Sequence, residues 1–552
     1  MTDDVTTIGP EPVPDTATQY MVPMRDGTLL ATDVYLPEGE GPFEVVLTRL
    51  PYDKNSRYMF IDGLAPHFTA RGYAFVVQDV RGKFRSGGET IGLVGEADDG
   101  YDSIEWVVQQ PWSAGVVGMW GDSYFGFTQW AAVTTEHPAL KAIVPGVTSA
   151  QLFIDLVDGA VSDVPWMISA DYLSHYWVDN NIYDFALDYE RRPPAEIFED
   201  AFARVGKRSH MYDLLVPVQQ PLDAYPHGHP FDAKPIPVLH RVGWFDNLLT
   251  VSMRDYVTVA ARPEWATHQY LWAESIDHES YQLELAPITP ENDHLVNADA
   301  LARFAQSYLK PSLDFYDVFL KGIRPVESLA KVNWHLGHVG FRESTRWPPP
   351  EATELRLLLS NLSGATNGEG VLGDTPAAEG DSVSWVYDPS DLVASSVPNS
   401  FAFLLSFPDE QELLTRSDVV SFITEPFDSP LDIAGPVDLW IALSSTCQST
   451  DLFAKLFDVD PEGVAHLVLR GQACLADTSG TSSLRVELGH TGYRVRPGHR
   501  LCLALFSSDF PEFVPHPGTE GNRWTEANTK PSTQTIMGGA VTAPTLVLSV
   551  LA

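Results

Sequence analysis

Cysteine is nearly missing from the chain: 552 residues contain three, Cys447, Cys474 and Cys502. The count is odd and the spacing fits no zinc or redox motif. The expected state is a set of reduced, buried thiols, with one strand-to-strand disulfide as the alternative. Basic residues are also short, 35 Lys and Arg against 74 Asp and Glu, a net charge of −39. Such a polyanion repels nucleic acid and anionic membranes, so both are excluded as partners. No apolar run approaches the ~18–20 residues that cross a bilayer. Asp3, Asp4, Glu11 and Asp15 precede the first basic residue, Arg25, which is the reverse of a secretory signal. The expected location is cytoplasmic. No phosphate loop and no HExxH helix occurs, so neither a metal nor an organic cofactor is expected.

What is present is a rhythm. Leu30, Thr32, Val34 and Leu36 alternate as in a half-buried strand. Short apolar runs follow at Val45–Leu47, Tyr73–Val77, Val116–Trp120 and Ala142–Val144. Between them lie helical spacings, such as Tyr101, Ile104, Val107 and Val108 on one face. Strands apolar on both faces that alternate with helices predict a mostly parallel, doubly covered sheet. The first 18 residues are acidic and aperiodic and read as a mobile arm.

The pattern breaks near residue 150 and resumes at Ile236–His240 and Gln269–Trp272. The interruption reads as a helical cap inserted into one α/β domain. Trp347-Pro348-Pro349-Pro350 ends that domain, since such a run continues neither a helix nor a central strand. Beyond it come short strands such as Leu355–Leu359, Val437–Ile441, Phe453–Phe457 and Leu501–Leu505, divided by Gly, Pro, Ser and Asp. The expected domains are a core in two parts (1–150 and 236–350), a cap (151–235) and a β-sandwich (351–552).

The chemistry is expected at Gly118-Met119-Trp120-Gly121-Asp122-Ser123-Tyr124-Phe125-Gly126, between a strand and a helix. A serine on such a turn exposes its hydroxyl above the carboxyl end of the sheet, and the next N–H, that of Tyr124, faces a developing oxyanion. The generic G-x-S-x-G pattern wants glycine at 125; here it is Phe125, and Gly126 follows. A serine needs a base, and the base an orienting carboxylate. Asp246 and His278 follow consecutive strands in the order Ser, Asp, His used by α/β-hydrolases. His240 and His268 are rivals that lie within or before strands. Trp166, Trp177 and Phe245 are the candidates for lining an apolar acyl or aryl pocket, although helix-borne aromatics such as Trp166 and Trp177 more often pack in a core.

Several segments together resemble the cocaine-esterase-like (CocE/NonD) hydrolases, relatives of X-prolyl dipeptidyl aminopeptidases and α-amino acid ester hydrolases. They include Met21–Gly27, Arg49–Lys54, Asp79–Gly82 with Ser86–Glu89, Gln110–Ser113, the serine segment, Gly243–Asp246, Phe315–Gly322 and Gly498–Arg500 with Ser507–Pro511. The resemblance implies an α/β-hydrolase core, a helical cap and a C-terminal jelly-roll. It implies Ser123 as nucleophile, Asp246 as orienter, His278 as base and the Tyr52 phenol as a second oxyanion donor beside the Tyr124 N–H. The family's histidine often follows Gly-Pro-Trp; here Glu274-Ser275-Ile276-Asp277 precedes it, and Asp277 either perturbs His278 or faces solvent.

Other features read as structural. Asp458–Gly463 resembles a calcium loop but lacks the twelfth-position glutamate, so a turn between strands is expected. Arg81, Lys83 and Arg85 read as a loop held by ion pairs, with contact to an anionic substrate as the alternative. Asp155, Asp158, Asp163, Asp171 and Asp179 of the cap could hold a substrate ammonium, or be the ordinary carboxylates of an acidic chain. The expected activity is serine hydrolysis of a small-molecule carboxylic ester or amide through an acyl-enzyme. Dipeptidyl-peptidase or acylase activity is the alternative, and a non-catalytic β-sandwich binding protein the alternative from another class. A homodimer is left open.

Overall fold

The computed structural model describes residues 5–152, 164–217, 220, 222–397, 399–476, 482–539 and 543–551. In chain order the first strands are β1 (Thr6–Ile8), β2 (Thr18–Pro23), β3 (Leu29–Tyr35), β4 (Phe43–Leu50), β5 (Tyr73–Asp79), β6 (Ser113–Asp122) and β7 (Leu140–Gly146). Then come β8 (Ile182–Asp184), β9 (Val238–Gly243), β10 (Gln269–Glu274), β11 (Val332–Leu336) and β12 (Gly340–Ser344). Among the described residues, ten of these form one sheet in the order β12-β11-β10-β9-β7-β6-β4-β5-β3-β2. Strands β11 to β5 in that order run parallel, and antiparallel strands close both edges. β5 and β9 are buried along their whole length, as strands covered on both faces must be. One consequence decides the site: β4, β6, β9 and β10 all point their carboxyl ends to the same edge, where α/β sheets place their ligands.

Helices Met167–Tyr176, Ala195–Val205 and His210–Leu215 lie between β7 and β9 and form the cap over that edge. The N-terminal segment is not a free arm. β1 pairs with β8 of the cap, and the Glu11 N–H donates to Asp53 Oδ2 at 2.7 Å. Its aperiodic sequence hid this, because a three-residue edge strand needs no periodicity.

The C-terminal part is β-rich, and its strands are longer than the short apolar runs predict. Leu431–Ser445 pairs with Ser482–Val495, and Thr450–Val459 with Ala465–Leu475 and Arg500–Phe506. A register shift between Val437 and Asp438 lets the first of these carry Gly435-Pro436 within one strand. The Asp460–Gly463 turn joins two of these strands, while Asp458 accepts from Tyr493 Oη at 2.8 Å and lies 2.8 Å from His499 Nδ1. This domain packs on both the core and the cap: Trp347, stacked on Trp244 at 5.1 Å, donates its Nε1–H to His490 Nδ1 at 3.1 Å, and Trp166 of the cap lies 4.8 Å from Phe513. Of the three cysteines only Cys502 is buried; Cys447 and Cys474 are half-buried. Among the described residues no helix is long and apolar enough to cross a membrane.

Candidate active site

Ser123 follows β6 directly and opens the helix Ser123–Val133. Its φ is +55°, the left-handed region that costs a non-glycine residue roughly 1–2 kcal/mol. The turn is held from several sides. Thr148 Oγ1 donates to the Ser123 carbonyl at 2.6 Å, and Gln129 Nε2 donates to the Gly121 carbonyl at 2.9 Å. Tyr308 Oη donates to Asp122 Oδ2, and Arg241 stacks over the Tyr308 ring at 4.2 Å. The departure from G-x-S-x-G has a steric reason. The Phe125 ring fills the space a Gly121 Cβ would need, at 1.9 Å. The close helix contact falls instead at Gly126, where a Cβ would lie 2.5 Å from Thr148 Cγ2.

Asp246 and His278 come from the loops after β9 and β10. His278 Nδ1 lies 2.9 Å from Asp246 Oδ1, which also accepts the Leu248 N–H at 3.0 Å. Burial disfavours the charged imidazole, but Asp246, Glu279 and Asp122 outweigh it and raise the His278 pKa above its ordinary value. Ser123 and His278 line one cavity of about 500 Å³. His240, by contrast, is buried in β9 against Gln269 at 2.6 Å, with burial lowering its pKa to about 4.

Tyr52 lines the same cavity, two residues past the end of β4. Its loop is anchored by Lys54, whose buried ammonium donates to Asp79 at 2.7 Å. Burial pushes the Tyr52 phenol up to about 12, although hydrogen bonds with Tyr172 and Ser123 pull the other way. It therefore stays protonated at neutral pH. The Tyr124 side chain turns away, donating to Glu96 at 2.8 Å and accepting the Leu93 N–H at 2.7 Å. That leaves its backbone N–H in the first turn of a helix, where N–H groups lack intrahelical partners.

The three pocket candidates do not line this cavity. Trp166 packs on Phe513, and Phe245 faces Phe403 and Phe407 behind Asp246. Trp177 is buried beside Tyr124, ring centroids 5.4 Å apart. The lining aromatics are Tyr172 and Tyr176 of the cap helix, stacked at 4.9 Å, with Tyr58 and Phe401. The spacing of Ile168, Tyr172 and Tyr176, every fourth residue, marked that helical face. Asn399, Ser400 and Phe401 belong to the C-terminal part, and Phe401 packs on the His278 ring at 4.8 Å. No local motif carries that contribution.

Asp277 does not face solvent. It is fully buried and accepts the Tyr281 N–H at 3.0 Å and the Leu404 N–H at 2.8 Å, while burial pushes its carboxyl well up. It thus ties the His278 loop to the C-terminal domain. Glu279 lines the cavity too and accepts the Tyr58 hydroxyl at 2.6 Å. Of the cap carboxylates, Asp155, Asp158 and Asp163 lie outside the described residues. Asp171 lines the cavity, whereas Asp179 pairs with Lys207. Arg81 pairs with Asp26 and Asp99, as a loop held by ion pairs requires. Among the described residues no group of three or more His, Cys, Asp or Glu is placed to hold a metal ion.

Residues 26–279 match the X-Pro dipeptidyl-peptidase (S15) family, and residues 325–547 match the X-Pro dipeptidyl-peptidase C-terminal non-catalytic domain. Cocaine esterase of Rhodococcus sp. (strain MB1 Bresler) is 28% identical over 564 residues, 92% of this chain and 93% of that protein. The chain is related to the CocE/NonD hydrolases and to the X-Pro peptidases. Its class is that of the serine hydrolases. Two solved structures share the whole fold at a TM-score of 0.79. One is an α-amino acid ester hydrolase, 23% identical with 98% of both chains covered. The other is an aminopeptidase from the marine sediment archaeon Thaumarchaeota archaeon, 21% identical with 99% of both covered.

Proposed function

We propose that this protein hydrolyses a carboxylic ester bearing an apolar acyl or aryl group, through an acyl-enzyme on Ser123. The observation that carries the reading is a strained serine and an Asp246-held histidine facing one cavity of about 500 Å³. His278 takes the Ser123 proton as Oγ attacks the carbonyl carbon. The Tyr52 O–H and the Tyr124 N–H donate to the oxyanion, where fixed donors act in a water-poor site. His278 then protonates the leaving alcohol. Water, deprotonated by His278, releases the acid and regenerates Ser123. Leu152, Ile168, Leu248 and Phe401 give the cavity its apolar surface.

A second reading is an ester or amide with a free amino group. Glu279, Asp171 and Asp184 line the cavity, and among the described residues no Lys or Arg does. Relatives named as an aminopeptidase and an α-amino acid ester hydrolase agree with that charge.

The test is fluorophosphonate labelling of wild type and Ser123→Ala, followed by turnover of matched aryl esters with and without an α-amino group and of chromogenic dipeptide amides. A single adduct on Ser123 with turnover of plain aryl esters supports the first reading. Turnover confined to amino-bearing substrates and lost in Glu279→Gln supports the second. Folded protein that takes no label excludes both.

A further inference from the structure

The loop that follows β5 ties itself to the cap through a buried lysine. Lys83 is shielded from solvent, and its three hydrogen bonds all go to main-chain carbonyls. Nζ donates to Tyr176 at 2.5 Å, Asp179 at 3.0 Å and Asn181 at 3.0 Å. Tyr176 is the last residue of the helix Met167–Tyr176, so its carbonyl is among those a helix leaves unpaired, at the end where a cation is favoured. The next residue extends the tie: the Phe84 N–H donates to Asn180 O at 2.7 Å, and Asn180 Nδ2 donates back to Phe84 O at 3.2 Å. Phe84 holds a left-handed φ of +48° to do so.

The chemistry of Lys83 is unlike that of a space-filling residue. A buried ammonium is costly unless it is fully hydrogen-bonded, and an apolar side chain would fill the same volume without that cost. Three acceptors match three ammonium hydrogens. Burial draws the Lys83 pKa down to about 7, with Asp179 and Asp79 opposing the shift.

The helix end that Lys83 fixes carries the residues around Tyr52. The Tyr176 ring meets Tyr52 edge-on at 5.6 Å, and Tyr172 donates to the Tyr52 oxygen at 3.3 Å. We propose that Lys83 is a positioning residue for the oxyanion donor, holding the cap helix so that Tyr172 and Tyr176 orient the Tyr52 phenol toward the carbonyl oxygen at Ser123. This rests on the reading of Tyr52 as that donor.

The test is a double-mutant cycle read by kcat and KM on an aryl ester: wild type, Lys83→Met, Tyr52→Phe and the pair. Misplacing a catalytic group by about 1 Å costs up to ~10²-fold, so Lys83→Met should lower kcat between about 10-fold and 10²-fold with KM nearly unchanged. In the Tyr52→Phe background the same substitution should change kcat by less than about 3-fold, because the group it positions is gone. An equal loss in both backgrounds, or none in either, overturns the proposal. Full activity of Tyr52→Phe overturns the phenol's role itself and this inference with it, whereas a Tyr52→Phe defect without coupling overturns Lys83 alone. Should Lys83→Met not fold, Asn180→Ala removes the adjoining Asn180 Nδ2–Phe84 O bond and so loosens the same loop-to-cap attachment from the cap side. Its smaller kcat loss must likewise vanish in Tyr52→Phe, and an undiminished loss there overturns the proposal.

Discussion

Tyr172 donates its phenolic hydrogen to the Tyr52 oxygen at 3.3 Å. A phenol that accepts one hydrogen bond keeps its own proton free to donate, and the bond it accepts polarises that O–H further. Tyr52→Phe should therefore lower kcat by ~10²–10³, the scale of one oxyanion donor. Tyr172→Phe removes the supporting bond, worth about 1 kcal/mol, and should lower kcat about 5-fold with little change in KM. Steady-state kinetics on one aryl ester measures both. A Tyr172→Phe loss as large as that of Tyr52→Phe would mean that Tyr172 itself meets the substrate.

The pH dependence follows from His278. The base must be neutral to take the Ser123 proton, and its pKa is raised, so kcat/KM should climb with pH along a limb lying above the ordinary histidine value near 6.5. Asp246 is the strongest group raising that pKa. In Asp246→Asn the limb should move to lower pH, while the plateau falls about 10⁴-fold, the scale seen when a serine protease loses this charge. A limb that stays in place would assign it to another group. The stability sign is fixed too. A raised histidine pKa contributes stability fully present below the unfolded value and lost as pH rises through the folded one.

The α/β rhythm was legible because β-strands buried on both faces write continuous apolar runs. The order Ser123, Asp246, His278 was legible because each residue follows its strand within a few positions. The pocket was not. Of the pocket candidates, Trp166 and Trp177 take the core role more usual for helix-borne aromatics and pack inward on Phe513 and Tyr124. Tyr172 and Tyr176, four residues apart on the same helix, face the cavity instead. Phe401 reaches His278 from more than 120 positions away in sequence, and only tertiary packing reports such a contact. Lys83 was read with its two arginine neighbours as ion-paired. Main-chain carbonyls leave no trace in sequence, so its cage could not be seen.

The elbow makes a steric prediction. A Cβ at Gly146 would lie 1.9 Å from Asp122 Oδ1, the carboxylate just before Ser123. Gly146→Ala must push Asp122 away from Tyr308 and Arg241 or shift β7. Overpacking of this kind costs typically ~1–3 kcal/mol. Chemical denaturation should show the loss, and labelling by fluorophosphonate should slow because the Ser123 turn rests on Asp122. Gly115 is the control: no atom lies within 4 Å of its Cβ position, so any cost there comes from its φ of +73° alone, and the labelling rate should not change.

The tie between the His278 loop and the C-terminal domain should be measurable at Asp277. Its two oxygens each accept a backbone N–H, from Tyr281 and from Leu404. Asparagine keeps one acceptor and turns an NH₂ toward the other N–H, so Asp277→Asn leaves a buried donor unpaired at a cost of about 1–3 kcal/mol. The freed segment carries Phe401, which packs on the His278 ring. Two consequences should appear together: a lower denaturation midpoint, and a drop in kcat/KM that exceeds the drop in any variant of equal stability loss made far from the site. If activity per folded molecule is unchanged, the C-terminal domain merely stabilises the core. If it falls, the domain is part of the active site, because the histidine is held in place by a segment that the catalytic fold does not itself contain.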